Sequence, residues 1–249
     1  MNKWIYILIM LPFISCTYAG GKREITQTTD TIMETDTTID KNSLEYITSI
    51  LPLYQRVYDP VTGLEMYDDK LMQGEEWPKV LKTADGWIIK IFPSSGRGGG
   101  GYQEIPPLPG FYIIQKDFYL DGRLKSIMKM YESMMVDTAR FYDKAGNITK
   151  EVNYNEFYKD AKIPFEQALQ LFDQVGFIDL KTGKGRMEFS IYEGRVTTAG
   201  TKAFFDYRIR EGIPYWIARD YMGRRLNGYE INALTGEMKK VIYNRSGEE

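Results

Sequence analysis

Apolar and polar positions fall into three unlike stretches along the chain. Residues 4–14 (WIYILIMLPFI) form an uncharged apolar run of 11 residues behind the positive charge of Lys3. As a helix rising ~1.5 Å per residue, such a run covers ~16 Å, about half of a ~30 Å hydrocarbon core. It is too short to span a bilayer and has the length of the apolar segment of an export signal. Residues 17–42 are dominated by Thr, Asp, Gly and Glu and hold few large apolar side chains. They cannot bury a core, so a disordered tether is predicted, with a root-mean-square reach of ~25–30 Å. From Ser43 onward apolar residues recur at helical and strand spacing, and folded structure is expected.

Ser43 is a good N-cap, and Leu44, Ile47, Ile50 and Leu51 fall at helical spacing, predicting a helix within residues 43–58 that Pro52 ends or kinks. Tyr58-Asp59-Pro60 and Thr62-Gly63 read as a turn. Residues 87–92 (WIIKIF) read as a strand, and strand character resumes at 111–115 and 118–120. Between them, residues 93–110 hold Gly98 to Gly101 and Pro106-Pro107, a composition that predicts no regular element. Residues 118–125 (FYLDGRLK) and 141–150 (FYDKAGNITK) look alike. Each joins an aromatic strand end, an Asp-containing turn with Gly and an apolar strand start, which is hairpin chemistry.

In the last third, Pro164 suits the first turn of a helix, where its missing N–H costs nothing. Phe165, Ala168, Leu169, Phe172 and Val175 form one apolar face, and Gly176 offers a left-handed stop. Met187, Phe189 and Ile191 then alternate with polar neighbours. Further strands are predicted at 203–209, 215–219, 228–231 and 240–243, with turns at 181–185, Glu211-Gly212, Met222-Gly223 and Thr235-Gly236. The predicted class is α+β, with antiparallel sheets each covered by a helix. Two folded domains, 43–160 and 161–249, are expected, with one continuous sheet as the alternative.

Composition narrows the chemistry. The chain has no histidine, which removes Ser-His-Asp and Cys-His nucleophile systems, His-ligated zinc and imidazole switching. Its one cysteine, Cys16, leaves the remainder without a disulfide or a catalytic thiol. With 32 Lys+Arg against 34 Asp+Glu there is no global field for nucleic acid, and pairs such as Arg224-Arg225 and Lys239-Lys240 read as solvated charges. Nineteen tyrosines and twelve phenylalanines fit aromatic-rich strands.

Three resemblances add to this reading. Phe13-Ile14-Ser15-Cys16 resembles the cleavage box of bacterial lipoproteins, which implies that Cys16 is lipidated and becomes the first mature residue. An ordinary signal peptide with an incidental cysteine is the alternative. The two FY…DG-type segments resemble the antiparallel repeats of some bacterial antitoxin-class proteins, a plain β-meander being the alternative. The predicted helix at 163–176, residues 213–219 (IPYWIAR) and 228–237 (GYEINALTGE) together resemble a PepSY-type domain. That resemblance implies a cystatin-like α+β fold, found on exported and membrane-associated proteins and sometimes linked to restraint of peptidases. It implies no catalytic residues.

Candidate chemistry is sparse. The Ser94 to Gly101 stretch, with Arg97, offers backbone N–H groups to an anion, but a P-loop needs Gly-Lys-Ser/Thr opening a helix, and here Tyr102-Gln103-Glu104 leads into Pro106-Pro107. A surface loop is the plainer reading. Asp68-Asp69 and Glu75-Glu76 are adjacent carboxylates suited to acid–base work, but both lie beside turn-prone residues and read as loop charges. The Asp143 turn lacks the spaced oxygens of a calcium loop. Trp87 and Trp216 sit in apolar strands and read as core, whereas Trp77, between Glu76 and Pro78, reads as exposed. Trp77, Arg97 and Tyr102 are therefore the candidate binding residues, with no metal, cofactor or nucleic acid expected. The favoured function is a non-enzymatic, lipid-anchored protein of the bacterial cell envelope, periplasmic or surface-exposed, that binds a macromolecule. The alternatives are a peptidase-inhibiting or toxin-immunity lipoprotein and a carboxylate-dependent hydrolase.

Overall fold

Ser43 opens the first helix as its sequence demands. Its Oγ accepts a hydrogen bond from the Tyr46 N–H at 3.2 Å, and α1 runs over Leu44–Ile50. The helix stops there because Leu51 precedes Pro52 and is forced into extended backbone. In the computed structural model the described residues are 43–73, 78–94, 99–192, 195–201, 203–220 and 225–244. They belong to one compact unit, Ile39–Glu249. The leader, the tether and Cys16 lie outside the described residues.

The fold is rich in antiparallel sheet, with two short α-helices among the described residues. A small hairpin, β1 (Val57–Tyr58) and β2 (Glu65–Met66), comes first. Seven strands then form an antiparallel sheet in chain order: β3 (Lys79–Lys82), β4 (Ile88–Phe92), β5 (Gly101–Ile105), β6 (Ile113–Phe118), β7 (Leu124–Tyr131), β8 (Met134–Tyr142) and β9 (Ile148–Asn153). Helix α2 (Phe165–Gln174) follows, then a hairpin of β10 (Met187–Tyr192) and β11 (Arg195–Thr201). A four-stranded meander ends the chain: β12 (Ala203–Arg210), β13 (Ile213–Asp220), β14 (Arg225–Asn232) and β15 (Met238–Asn244).

The strands around β4 are covered on both faces, which explains why β4 buries Ile88 towards one side and Ile89 and Ile91 towards the other rather than alternating apolar with polar. On one face Ile89, Ile91, Tyr102, Phe118 and Leu124 pack under the segment that carries Tyr54, Tyr67 and Met72. On the other, Val80, Ile88, Ile105 and Ile113 meet Ile47 and Leu51 of the α1 region and Phe189 of β10. The alternation at Met187, Phe189 and Ile191 thus serves the larger sheet, not the terminal meander. The largest core joins Phe111, Tyr131, Met134 and Val136 to Phe165, Ala168, Leu169 and Phe172 of α2 and to Phe205, Trp216 and Ile231 of the meander. The expected division at 160/161 falls between the two sheets, and this core draws on residues from both sides of it.

Two sequence expectations need correction. Residues 93–110 do contain a regular element, strand β5. The glycines before it serve close approach: a β-carbon at Gly99 would collide with the backbone of Phe118, and one at Gly100 with the Tyr67 ring. Val175, counted on the apolar face of α2, is its C-cap and is exposed. Gly176 follows at φ +72°, as its left-handed role requires.

Candidate functional site

Strand alternation places Glu104 of β5 and Lys116 of β6 on the same face as Tyr102 and Phe118. The β1–β2 hairpin brings Glu65 and Arg56 over them. Lys116 Nζ lies 2.5 Å from Glu65 Oε2 and 2.7 Å from Glu104 Oε1. Arg56 Nη1 lies 3.0 Å and 2.9 Å from the two Glu65 oxygens and also pairs with Glu104. Two acids and two bases therefore neutralise one another inside the sheet core. Burial opposes the charge on Arg56, but its hydrogen bond to Glu104 and the charges of Glu104 and Glu65 outweigh burial and raise its pKa. Beside Glu65 there is a gap of about 10 Å³, bounded by Thr62, Arg123 and Asp143. That is water-sized, too small for a substrate.

Two phenols adjoin this cluster. Tyr54 donates to the Tyr102 hydroxyl at 3.2 Å, and the Asp68 N–H donates to the same oxygen at 2.8 Å. Burial pushes the Tyr54 phenol up to about 12 and raises Tyr102 as well. Both remain protonated near neutral pH and serve as packing with hydrogen bonds, not as nucleophiles.

A second charge centre lies in the terminal meander. Glu230 of β14 is 0% exposed; Tyr243 donates to it at 2.7 Å, Arg210 Nη1 stands at 2.9 Å and Lys239 Nζ at 3.0 Å. Burial would raise its pKa, but the Tyr243 and Lys239 hydrogen bonds and the nearby cations together hold the carboxyl below its ordinary range.

The open feature is different in kind. Helix α1, residues 106–108 and the turn at 181–185 frame a cleft of about 510 Å³. Leu44, Thr182 and Arg186 also border an adjoining hollow of about 280 Å³ that reaches Ile47, Met187 and Phe189. Arg186 is 7% exposed. Its Nη1 donates to the carbonyls of Pro106 at 3.1 Å and Gly110 at 2.8 Å. No carboxylate of the described residues pairs with it, and burial alone lowers its pKa. Gly183, at φ +77°, packs close to both Leu108 and this side chain: a β-carbon there would lie 2.9 Å from Leu108 Cδ2 and 3.1 Å from Arg186 Nε.

Of the residues expected to bind a partner, Tyr102 is wholly buried and presents no surface. The glycines before it let β5 pack under Tyr67, which buries Tyr102 with it. Cys16, Trp77 and Arg97 lie outside the described residues, as do Glu75 and Glu76. Asp68 caps a short 3-10 helix through Lys70 N–H, and Asp69 lies in its first turn. Trp216 is core, donating from Nε1 to the Ile163 carbonyl at 2.8 Å, and Trp87 packs edge-on against Tyr112. Asp143 accepts from the backbone of Ala145 and Asn147, which closes its own turn. Among the described residues no group of three or more acidic, His or Cys side chains is placed to hold a metal ion, and no helix is long and apolar enough to cross a membrane.

Sequence reasoning missed Arg56, Glu65, Glu104, Lys116, Glu230 and Arg186. Once β5 and β6 are recognised, alternation alone turns Glu104 and Lys116 inward; Arg186, between Gly185 and Met187, carries no comparable signal. No protein-family model, curated protein or solved structure matches the chain, so these side chains are read on their own geometry.

Proposed function

We propose that the chain is a non-enzymatic protein of the bacterial cell envelope, anchored by lipid at Cys16, whose folded part binds a macromolecular partner. The observation that carries the binding half is a contrast within the fold. Glu65, Glu104 and Glu230 are closed off by Arg56, Lys116, Arg210 and Lys239, whereas the cleft beside α1 is open and lined by Leu44, Ile88, Pro107 and Leu108, with two cations, Lys82 and Arg186, to one acid, Glu45. Carboxylates so paired offer little to a hydrolase. An open cleft of this size is the kind of surface that accepts a ligand.

The anchor half rests on Lys3, the apolar run 4–14 and Ser15-Cys16. Each buried CH₂ contributes ~0.8 kcal/mol, and a single acyl chain holds only marginally, so the multiple chains implied by the lipoprotein resemblance are needed for stable attachment. Metabolic labelling with a lipid precursor tests this half: the wild type incorporates label, and a Cys16→Ala variant that labels equally defeats it.

A second reading, restraint of a peptidase or neutralisation of a toxin, draws support from α2 lying against a four-stranded antiparallel meander, the helix-on-sheet layout implied by the PepSY and cystatin resemblance. Specific capture of a peptidase or toxin from envelope extract supports it, and capture of neither counts against it.

A further inference from the structure

We infer that the cleft between α1 and the start of β10 is a docking groove for an extended acidic peptide, with Arg186 as the anchor for one carboxylate of that peptide. The inference rests on the binding-protein reading and names its ligand class.

The argument begins with charge. A guanidinium taken out of water is costly unless an acid accompanies it, and elsewhere this protein obeys that rule, giving Arg56 two carboxylates and Arg210 the buried Glu230. Arg186 is the exception. It is buried as deeply as the core, its bonds go to two carbonyl oxygens through Nη1, and no acid pairs with it. Two acids and two further cations line these spaces: Glu45 and Lys82 the cleft, Glu188 and Lys184 the adjoining hollow. Neither acid pairs with Arg186, and the lysines are turned to other work: Lys82 Nζ donates to the carbonyls of Thr48 and Ser49 at the end of α1, and Lys184 Nζ to that of Gly176. Arg186 borders both spaces, and its Nε and Nη2 make no hydrogen bond among the described residues. A planar fork of this kind matches a carboxylate in two-point contact.

Shape then chooses among anions. A lone inorganic ion would occupy little of a cleft of about 510 Å³ with Leu44, Ile88, Pro107 and Leu108 along it. The adjoining hollow extends the apolar surface past Arg186 to Ile47 and Phe189. A segment with apolar residues on either side of an Asp or Glu would fill both spaces and bring its acid to the guanidinium between them. Apolar burial supplies affinity, and the single buried cation supplies selection for the acid.

The test uses the full-length protein in detergent and fluorescence anisotropy with a labelled Val-Leu-Asp-Leu-Val peptide. Saturable binding is expected, weakened at least about tenfold when the peptide's Asp is replaced by Asn, and by a similar factor in Arg186→Gln. Thr182→Trp leaves Arg186 in place and obstructs both spaces, so it should abolish binding; it carries the test if Arg186→Gln fails to fold by circular dichroism. Equal binding of the Asp and Asn peptides, no binding of either, unchanged binding in Thr182→Trp, or full displacement by millimolar inorganic phosphate each overturns the inference. A protein that labels with lipid at Cys16 but fails to bind the peptide loses this groove and keeps its anchor.

Discussion

Inside the seven-stranded sheet, Glu65 and Glu104 are buried with Arg56 and Lys116 against them; at the wall of the cleft, Arg186 is buried with carbonyl oxygens only. The first arrangement is complete within the chain. Removing any one of its members strands the others in a low-dielectric interior. The second holds a charge whose partners are dipoles, so less is lost when the charge goes. Among the described residues the buried carboxylates are each met by cations, whereas Arg186, met only by carbonyls, stands where the surface is open.

The sharpest way to break that contrast is to neutralise one member of each region. Glu104→Gln leaves Arg56 and Lys116 sharing a single carboxylate, and should cost ~3–5 kcal/mol of unfolding free energy by urea denaturation. Arg186→Met removes two hydrogen bonds to carbonyls, worth ~0.5–1.5 kcal/mol each, but also removes an unpaired buried charge, so a net change within ~1 kcal/mol is expected. If Arg186→Met proves the more damaging of the two, Arg186 is a structural pillar and the contrast fails.

Packing supplies the next effect in size. Gly100 lies against the Tyr67 ring where β5 enters the sheet, so Gly100→Ala should destabilise by ~1–3 kcal/mol, and Gly100→Ala combined with Tyr67→Leu should recover part of it. Additive losses in the double variant would show that close approach is not the reason for glycine there.

A smaller effect, in the terminal meander, depends on pH. Glu230 is held below its ordinary carboxyl range, so its stabilising contribution is fully present above about pH 4.5 and is lost as pH falls through the lowered folded value. The stability difference between wild type and Glu230→Gln should therefore be level between about pH 7 and 5 and shrink below about pH 4. Urea midpoints across that range give the answer, and a difference that grows on acidification would reverse the assigned sign.

These variants also mark how far the amino-acid order reveals the fold. Helix α2 was legible because Phe165, Ala168, Leu169 and Phe172 are all buried on one face, although Pro164 stands at the N-cap rather than in the first turn. The hairpins at Gly122 and Gly146 were legible because both glycines hold positive φ, as an Asp-Gly or Asp-x-x-Gly turn demands. Strand β5 was not, since a glycine run signals flexibility locally and close packing only when Tyr67 and Phe118 are known to lie above it. The Arg56–Glu65–Glu104–Lys116 cluster was hidden for a related reason. Its members are separated by up to 60 positions along the chain and meet only through the β5–β6 register and the β1–β2 hairpin.

The least effect should come from the rim of the same sheet. Arg140 of β8 and Glu151 of β9 face each other across the last strand pair, with Nε 2.9 Å from Oε1, and both side chains are about half exposed, at 50% and 51%. The geometry is as short as that in the buried cluster. Water nevertheless screens both charges, and two long side chains lose rotamer freedom to hold one arrangement. A double-mutant cycle of Arg140→Ala and Glu151→Ala should give a coupling of ~0.2–0.5 kcal/mol that fades in molar salt. A coupling above ~2 kcal/mol would mean that distance, not burial, sets the strength of ion pairs in this sheet, and the case for reading Arg186 by its missing partner would weaken with it.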